Sequence, residues 1–203
     1  MVSEGADARG RMVAGAADMI RRRGLAATSV RELAAHSGTP LGSTYHYFPR
    51  GKQQLAAEAV RFAGVVVGDG LAEELRAGPV AGLRAFLREW RRTVLDSDFR
   101  AGCPVLAVAV EEPPRDGASE ALAAAAEVLR GWQELLAASL RAHGAEPARA
   151  TRLAALVVAS VEGTVALCRA QRDIGPLDDV TVELESLLRS AVGGAGSEGG
   201  TGG

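Results

Sequence analysis

The chain reads as an all-α protein, with a three-helix N-terminal domain containing a helix-turn-helix and a larger helical domain after it. Three observations predict this. Good helix formers (Ala, Leu, Arg, Glu) dominate, and the period-two alternation of a half-buried strand is almost absent. Apolar residues recur three and four apart. Gly and Pro fall between segments of helical length, where they stop one helix or open the next. At 203 residues, 47% of them apolar, the chain can bury a sizeable core.

Taken in order, residues 1–8 are polar and are expected to be disordered. A first helix runs from about Arg9 to Arg23, with Val13, Ala16, Ala17 and Ile20 on its buried stripe and Gly24 as its stop. A second opens at Ser29, whose S-x-x-E pairing with Glu32 is a capping box. Val30, Leu33 and Ala34 face inward, and Ser37-Gly38 breaks the helix. The third follows at once, with Thr39 as N-cap and Pro40 at the first helical position, and ends near Tyr47. A fourth runs from about Gly51 into the 70s, and a fifth from about Val80 to Leu95. A short apolar helix, Val105 to Val110, lies between two loops, 99–104 and 111–117. Two long helices, about Ser119 to His143 and Glu146 to Asp173, are separated at Gly144, and Gly175-Pro176 ends the second. The last spans about Asp178 to Ala191. The boundaries are therefore 1–8, a helix-turn-helix domain 9–50, a helical body 51–192, and a Gly-rich tail 193–203 that cannot bury a core.

Charge is unevenly spread. Residues 1–52 hold eight Lys/Arg against four acids, +4, while the remainder holds 15 against 21, −6. A basic head on an acidic body fits a protein whose head meets a polyanion. No apolar run reads as a membrane span, because charges or Gly interrupt every candidate. Met1-Val2-Ser3-Glu4-Gly5 lacks a basic-then-apolar signal pattern. Cys103 and Cys168 form no C-x-x-C pair, which suits a reducing compartment and argues against structural zinc. A cytoplasmic location with no membrane partner is the expectation.

Two short helices around a Gly-containing turn are a helix-turn-helix candidate or an ordinary helical hairpin. Ala34 and Gly38, four apart, let the helices approach, and Gly permits a left-handed turn. Gly38-Thr39-Pro40-Leu41-Gly42-Ser43-Thr44-Tyr45-His46-Tyr47-Phe48, then Lys52 and Leu55, resembles the signature of TetR-family regulators. Ala16-Ala17, Gly24 and Ser29-Val30-Arg31-Glu32-Leu33-Ala34 extend the match upstream, so that it covers roughly 9–60. The spacer Phe48-Pro49-Arg50-Gly51-Lys52 is one residue longer than the common form. With Gly102-Cys103-Pro104-Val105 downstream, the chain resembles the LmrA/YxaF-like subgroup.

That resemblance implies a double-stranded DNA operator as partner. Thr39, Leu41, Gly42 and Ser43, at the N-terminal end of the third helix, would face base edges, with His46 also on the DNA side. Leu41 offers no hydrogen bond and can touch only thymine methyls, where the family often has a basic residue. Arg31 aligns with a position that can reach a guanine, its other reading being a solvated surface Arg. Tyr45, Tyr47 and Lys52 resemble phosphate clamps. Phe48 is expected in the core, wedging the third helix onto the first, and the Thr44 methyl is expected to pack inward.

The body shows no catalytic constellation: no G-x-S-x-G, no P-loop, no H-E-x-x-H and no Glu-x-x-His pair. No enzyme activity, cofactor or metal is called for, a helical enzyme being the weaker alternative. The resemblance implies a pocket for a small, largely apolar or aromatic effector among the middle helices, and a homodimer through the last two. A structural dimerisation module without ligand sensing would instead have a plain core. Phe62, Phe86, Trp90, Phe99, Val105, Val108, Trp132 and Leu136 are pocket candidates, each singly also an ordinary core residue. Cys103 is either an oxidation sensor or an inert buried thiol. The seam is expected along Ala154, Ala155, Val158, Ala159, Val161 and Val165, with Val180, Leu184, Leu187 and Leu188. Glu162, inside that apolar run and out of reach of Arg152 and Arg169 for an i,i+4 pair, is either structurally paired or a ligand contact.

Overall fold

The computed structural model describes residues 2–112 and 119–193, with side chains from Ala8 onward. The expected tail beyond 193, and residues 113–117 of the second loop, lie outside the described residues. The described chain is helical: α1 (Val2–Arg23), α2 (Val30–His36), α3 (Leu41–Tyr47), α4 (Gly51–Glu74), a 3-10 turn (Leu75–Ala77), α5 (Pro79–Asp96), α6 (Pro104–Ala109), α7 (Glu120–Ala142), α8 (Pro147–Gln171) and α9 (Gly175–Gly193). It forms two compact units, one of residues 1–67 and 101–129, the other of 68–100 and 130–203.

In the first unit, α2 packs on α1 and α3, and α6 packs on α1. Met12, Val13, Ala16, Ala17, Met19 and Ile20 make the buried stripe of α1, closed by Leu33, Ala34, Phe48 and Leu55. The first helix is longer than its periodicity suggested, opening at Val2 instead of near Arg9. Ser29 and Glu32 form the capping box in full: Ser29 Oγ accepts from the Glu32 amide and Glu32 accepts from the Ser29 amide. The α2–α3 turn is a Schellman closure. The Gly38 N–H donates to Ala35 O at 3.2 Å and the Thr39 N–H to Ala34 O at 3.0 Å, with Gly38 at φ +63°. Pro40 takes the N-cap position of α3, so the helix starts one residue later than expected and Thr39 does not cap it. Nothing approaches a Cβ position at Gly38, so its need is conformational. The close approach falls at Gly15 on α1, where a Cβ would stand 3.3 Å from the Ser37 Cβ.

In the second unit, α9 packs on α8 and α5, and α5 packs on α8. Leu83, Leu87, Trp90 and Val94 of α5, Leu136 and Leu140 of α7, Val157 and Val161 of α8, and Leu184 and Leu188 of α9 are buried. Arg84 and Arg189 both grip Glu185, and Arg91 pairs with Asp178 at 2.9 Å, which ties α5 to α9. Arg172, at φ +54°, ends α8, and Gly175-Pro176 opens α9 instead of stopping the preceding helix. One apolar stretch does reach the length of a membrane span, against the expectation from the sequence. Helix α8 is long and apolar enough to cross one, although half of that stretch is buried in the unit, as in any core helix.

Candidate nucleic-acid interface

The seven residues of α3 divide cleanly between an inward and an outward face. Thr44 is buried and its hydroxyl has no hydrogen-bond partner, and Phe48, just past the helix, is fully buried under the Arg9 guanidinium, 5.3 Å from the ring centre. This is the inward face. Outward stand Leu41 (41% exposed), Gly42, Tyr45 (59%) and His46, with Ser43 and Tyr47 half-buried. His46 and Tyr47 meet edge to face at 5.3 Å. Of the residues expected at base edges, Thr39 stands apart. It is 8% exposed, with its hydroxyl turned to Ala34 O at 3.5 Å, because its backbone closes the turn. Arg31 on α2 is exposed.

The outward face is chemically sparse. Its side-chain hydrogen-bonding groups are Ser43, Tyr45, His46 and Tyr47, its apolar contact is Leu41, and Gly42 lets a surface approach the backbone. Lys52, on the first turn of α4, donates to Ala26 O at 3.3 Å, so one of its three N–H donors already holds the loop between α1 and α2. Arg50 is turned away from this work by a two-pronged pair with Glu120 of α7, at 2.8 and 3.2 Å. The basic head therefore presents less free cation than its composition suggests.

A polar contact that the sequence did not single out joins α1 to α2. Asp18 of α1 pairs with Arg21 and Arg22 on its own helix and lies 3.3 Å from His36 Nε2 on α2. Partial burial pushes the Asp18 carboxyl up, but the Arg21 and Arg22 hydrogen bonds outweigh it and hold the group below its ordinary value. The spacing 18–36 carries no sequence pattern. Asp18 to Arg21 and Arg22, at i,i+3 and i,i+4, was visible as an ordinary helix pair.

The pocket candidates fall in both units. In the first, Cys103, Val105 and Val108 are buried where α6 packs on α1, as core, whereas Phe62 is 44% exposed on α4 beside exposed Val65 and Val66. In the second, Trp90, Trp132 and Leu136 are buried, Phe86 lies edge-on to Trp90 at 6.5 Å, and Glu162 is 6% exposed. Phe99, at φ +57°, stacks under the Arg172 guanidinium at 5.8 Å. The seam residues split similarly. Ala154, Val158, Val161, Val165, Leu184 and Leu188 are buried within the subunit. The face of α8 left open carries Ala155, Leu156, Ala159, Gly163, Ala166 and Leu167, beside Val182 and Leu187 of α9. Of the expected seam residues, Ala155, Ala159 and Leu187 lie on this open face.

Residues 13–59 match the bacterial regulatory proteins of the tetR family, and residues 79–183 match the C-terminal domain of LmrA/YxaF-like transcriptional regulators. The chain is 43% identical over 183 residues to an HTH-type transcriptional regulator of Mycobacterium tuberculosis, covering 89% of this chain and 93% of that one. It is 28% identical over 190 residues to the HTH-type transcriptional regulator LmrA of Bacillus subtilis, covering 90% and 97%. The crystal structure of a regulatory protein TetR from Rhodobacter sphaeroides superposes with a TM-score of 0.78 at 24% identity, over 89% of this chain and 98% of that one. The chain is thus a DNA-binding transcriptional regulator, not an enzyme, and belongs to the TetR family with an LmrA/YxaF-like C-terminal domain.

Proposed function

We propose that this protein is a homodimeric repressor that leaves a palindromic operator when a small, largely apolar or aromatic effector binds its body. The carrying observation is the outward face of α3, a surface with direct-readout groups and no packing role of its own. Leu41 meets thymine methyls, Ser43 hydrogen-bonds base edges, and Tyr45, Tyr47 and Lys52 grip phosphates while Arg31 supplies a guanine contact. Thr39 contributes through the turn that it closes.

The open apolar face of α8 and α9 is the second support. A stripe of Ala155, Leu156, Ala159, Gly163, Ala166 and Leu167 admits close approach of an identical helix, and a two-fold axis makes such a face self-complementary. Two α3 helices would then address half-sites about 34–36 Å apart. The effector site draws on the aromatic and apolar groups of the second unit, Phe86, Trp90, Trp132 and Leu136, with Glu162 as the acid in that interior. A regulator of this kind acts in the cytoplasm, where the DNA is.

Gel shifts at physiological salt with duplexes selected from a random pool test the reading. The expected result is an inverted repeat bound by the wild type. Arg31→Ala should relax choice at one base position, while Lys52→Ala weakens binding to all sequences and lowers the salt slope. Selection that returns no sequence preference overturns the operator reading.

A further inference from the structure

Glu111 lies just beyond α6, within the region matching the LmrA/YxaF-like C-terminal domain, yet its side chain reaches the loop that leads from α1 into the α2–α3 hairpin. Its Oε1 accepts the Ala26 N–H at 2.9 Å, while the Ala26 carbonyl receives Lys52 Nζ at 3.3 Å. Ala26 is therefore held at both of its backbone polar groups, from two distant parts of the chain. Gly24 leaves room for this grip: it sits at φ +80°, and a Cβ there would stand 3.2 Å from Glu111 Oε1. The other end of the same segment is also fastened, since the Gly102 N–H donates to Arg21 O at 3.0 Å, a carbonyl of the last turn of α1. Residues 102–111 are thus fastened at both ends, to the last turn of α1 and to the loop after it.

The geometry points to Glu111 as a positioning residue for operator reading, acting through the loop between α1 and α2 without touching DNA. The inference rests on the assignment of α3 as the reading helix. Ala26 stands three residues before Ser29, whose capping box fixes the start of α2. Helices α2 and α3 have seven residues each, too few to hold a direction alone, so their aim is inherited from the loop and the packing beneath. Within the loop, Thr28 Oγ1 bonds Gly24 O at 2.8 Å and the Thr28 amide bonds Leu25 O at 3.1 Å, and Glu111 anchors that small turn to α6. Base-edge contacts need α3 aimed within narrow limits, whereas phosphate attraction does not. Loss of the anchor should therefore reduce discrimination and leave non-specific affinity in place. The charge of Glu111 acts in the opposite sense, because removing an acid near DNA strengthens binding to every sequence.

Three variants separate these effects: Glu111→Ala removes both charge and acceptor, Glu111→Asp keeps the charge but shortens the reach, and Glu111→Gln keeps an acceptor without the charge. Affinities are measured for a duplex selected by the wild type and for a scrambled duplex of equal length. Amide exchange at Ala26 is followed by NMR in the DNA-free protein. The expected result is a loss of about fivefold in the ratio of selected to scrambled affinity for Ala and Asp, with Gln near wild type. Ala26 exchange should quicken in the same two variants. An unchanged ratio in both Ala and Asp overturns the proposal, as does a loss of the ratio in Gln as large as in Ala; tighter binding to both duplexes in Ala and Gln reads only the lost charge. If Ala fails to fold, the Asp and Gln pair decides alone. Should the wild type itself show no sequence preference, the operator reading fails, and unaltered Ala26 exchange in Asp would then dismiss the anchor independently.

Discussion

Helices α2 and α3 have seven residues each, and α8 and α9 have 25 and 19. The short pair owes its shape to identifiable backbone devices: a capping box at Ser29, a Schellman closure at Gly38, and the loop anchored on Ala26. The long pair owes its shape to area. Its helices bury Leu153, Val157, Val161, Val165, Leu184 and Leu188, and the ion pairs of Arg84 with Glu185 and of Arg91 with Asp178 join α9 to α5, not to α8. Burial at about 25 cal/mol per Å² makes the long pair robust to loss of any single hydrogen bond, whereas the hairpin has few bonds to spare. If α3 reads DNA as proposed, its aim rests on these few contacts.

The largest effect that would break this comparison lies on the open face of α8. Ala159→Glu with Leu167→Glu places four carboxylates near the axis of the proposed dimer while leaving the subunit core untouched, since both positions are exposed. Sedimentation should show monomers with an unchanged helical spectrum. A dimer that survives would mean that burial by a second copy is not what covers this face. Val161→Glu, in contrast, should unfold the subunit, because Val161 belongs to its own core.

Within the hairpin, two substitutions rank burial against backbone conformation. Phe48→Ala should cost about 3–5 kcal/mol, because the ring is fully buried and its cavity lies at the base of α3. Gly38→Ala should cost about 1–2 kcal/mol from the left-handed φ alone, since no atom stands within 4 Å of the added Cβ. Denaturant unfolding of both variants checks the order. If Gly38→Ala proves as costly as Phe48→Ala, the turn contributes more than its backbone energy and the division between devices and area is wrong.

The same division explains what could be read from the sequence. Ser29, Glu32 and Gly38 act on neighbours within a few residues, so the α2 cap and the turn after it were legible from spacing, as was the buried stripe of α1, while the inward Phe48 came with the resemblance. Helix α8 is apolar on nearly all sides, so periodicity located it without saying which stripe faces its own subunit; Val161 and Gly163 look alike until the fold separates them. The Thr39 cap failed because its backbone is used to close the preceding turn. Glu111 and Ala26 are 85 residues apart and the acceptor meets a main-chain N–H, so no residue pattern marks that contact.

The smallest expected effect concerns acid. Glu185 is held below its ordinary value of 4.5, first by the Arg84 hydrogen bond, against a smaller opposing push from burial, with Arg84 and Arg189 charge adding to it. A carboxylate whose folded value is lowered contributes stability that is fully present above its unfolded value and is lost as pH falls through the folded one. The tie between α5 and α9 should therefore be intact at neutral pH and weaken only below about pH 4.5. Asp18 in the hairpin's support behaves with the same sign, from an ordinary value of 3.8. The guanidinium side chains on Glu185 are 46% and 59% exposed, so the contribution is about 1 kcal/mol or less. Glu185→Gln should accordingly lower stability slightly at pH 7 and flatten the acid limb of the stability curve, with the two proteins converging at low pH. Asp18→Asn should do the same more weakly, because that carboxylate is 27% exposed where Glu185 is 10%. Urea midpoints followed from pH 7 to about pH 3 give both curves. An acid limb unchanged by Glu185→Gln would show that burial alone holds α5 on α9, which carries the contrast with the hairpin to its limit.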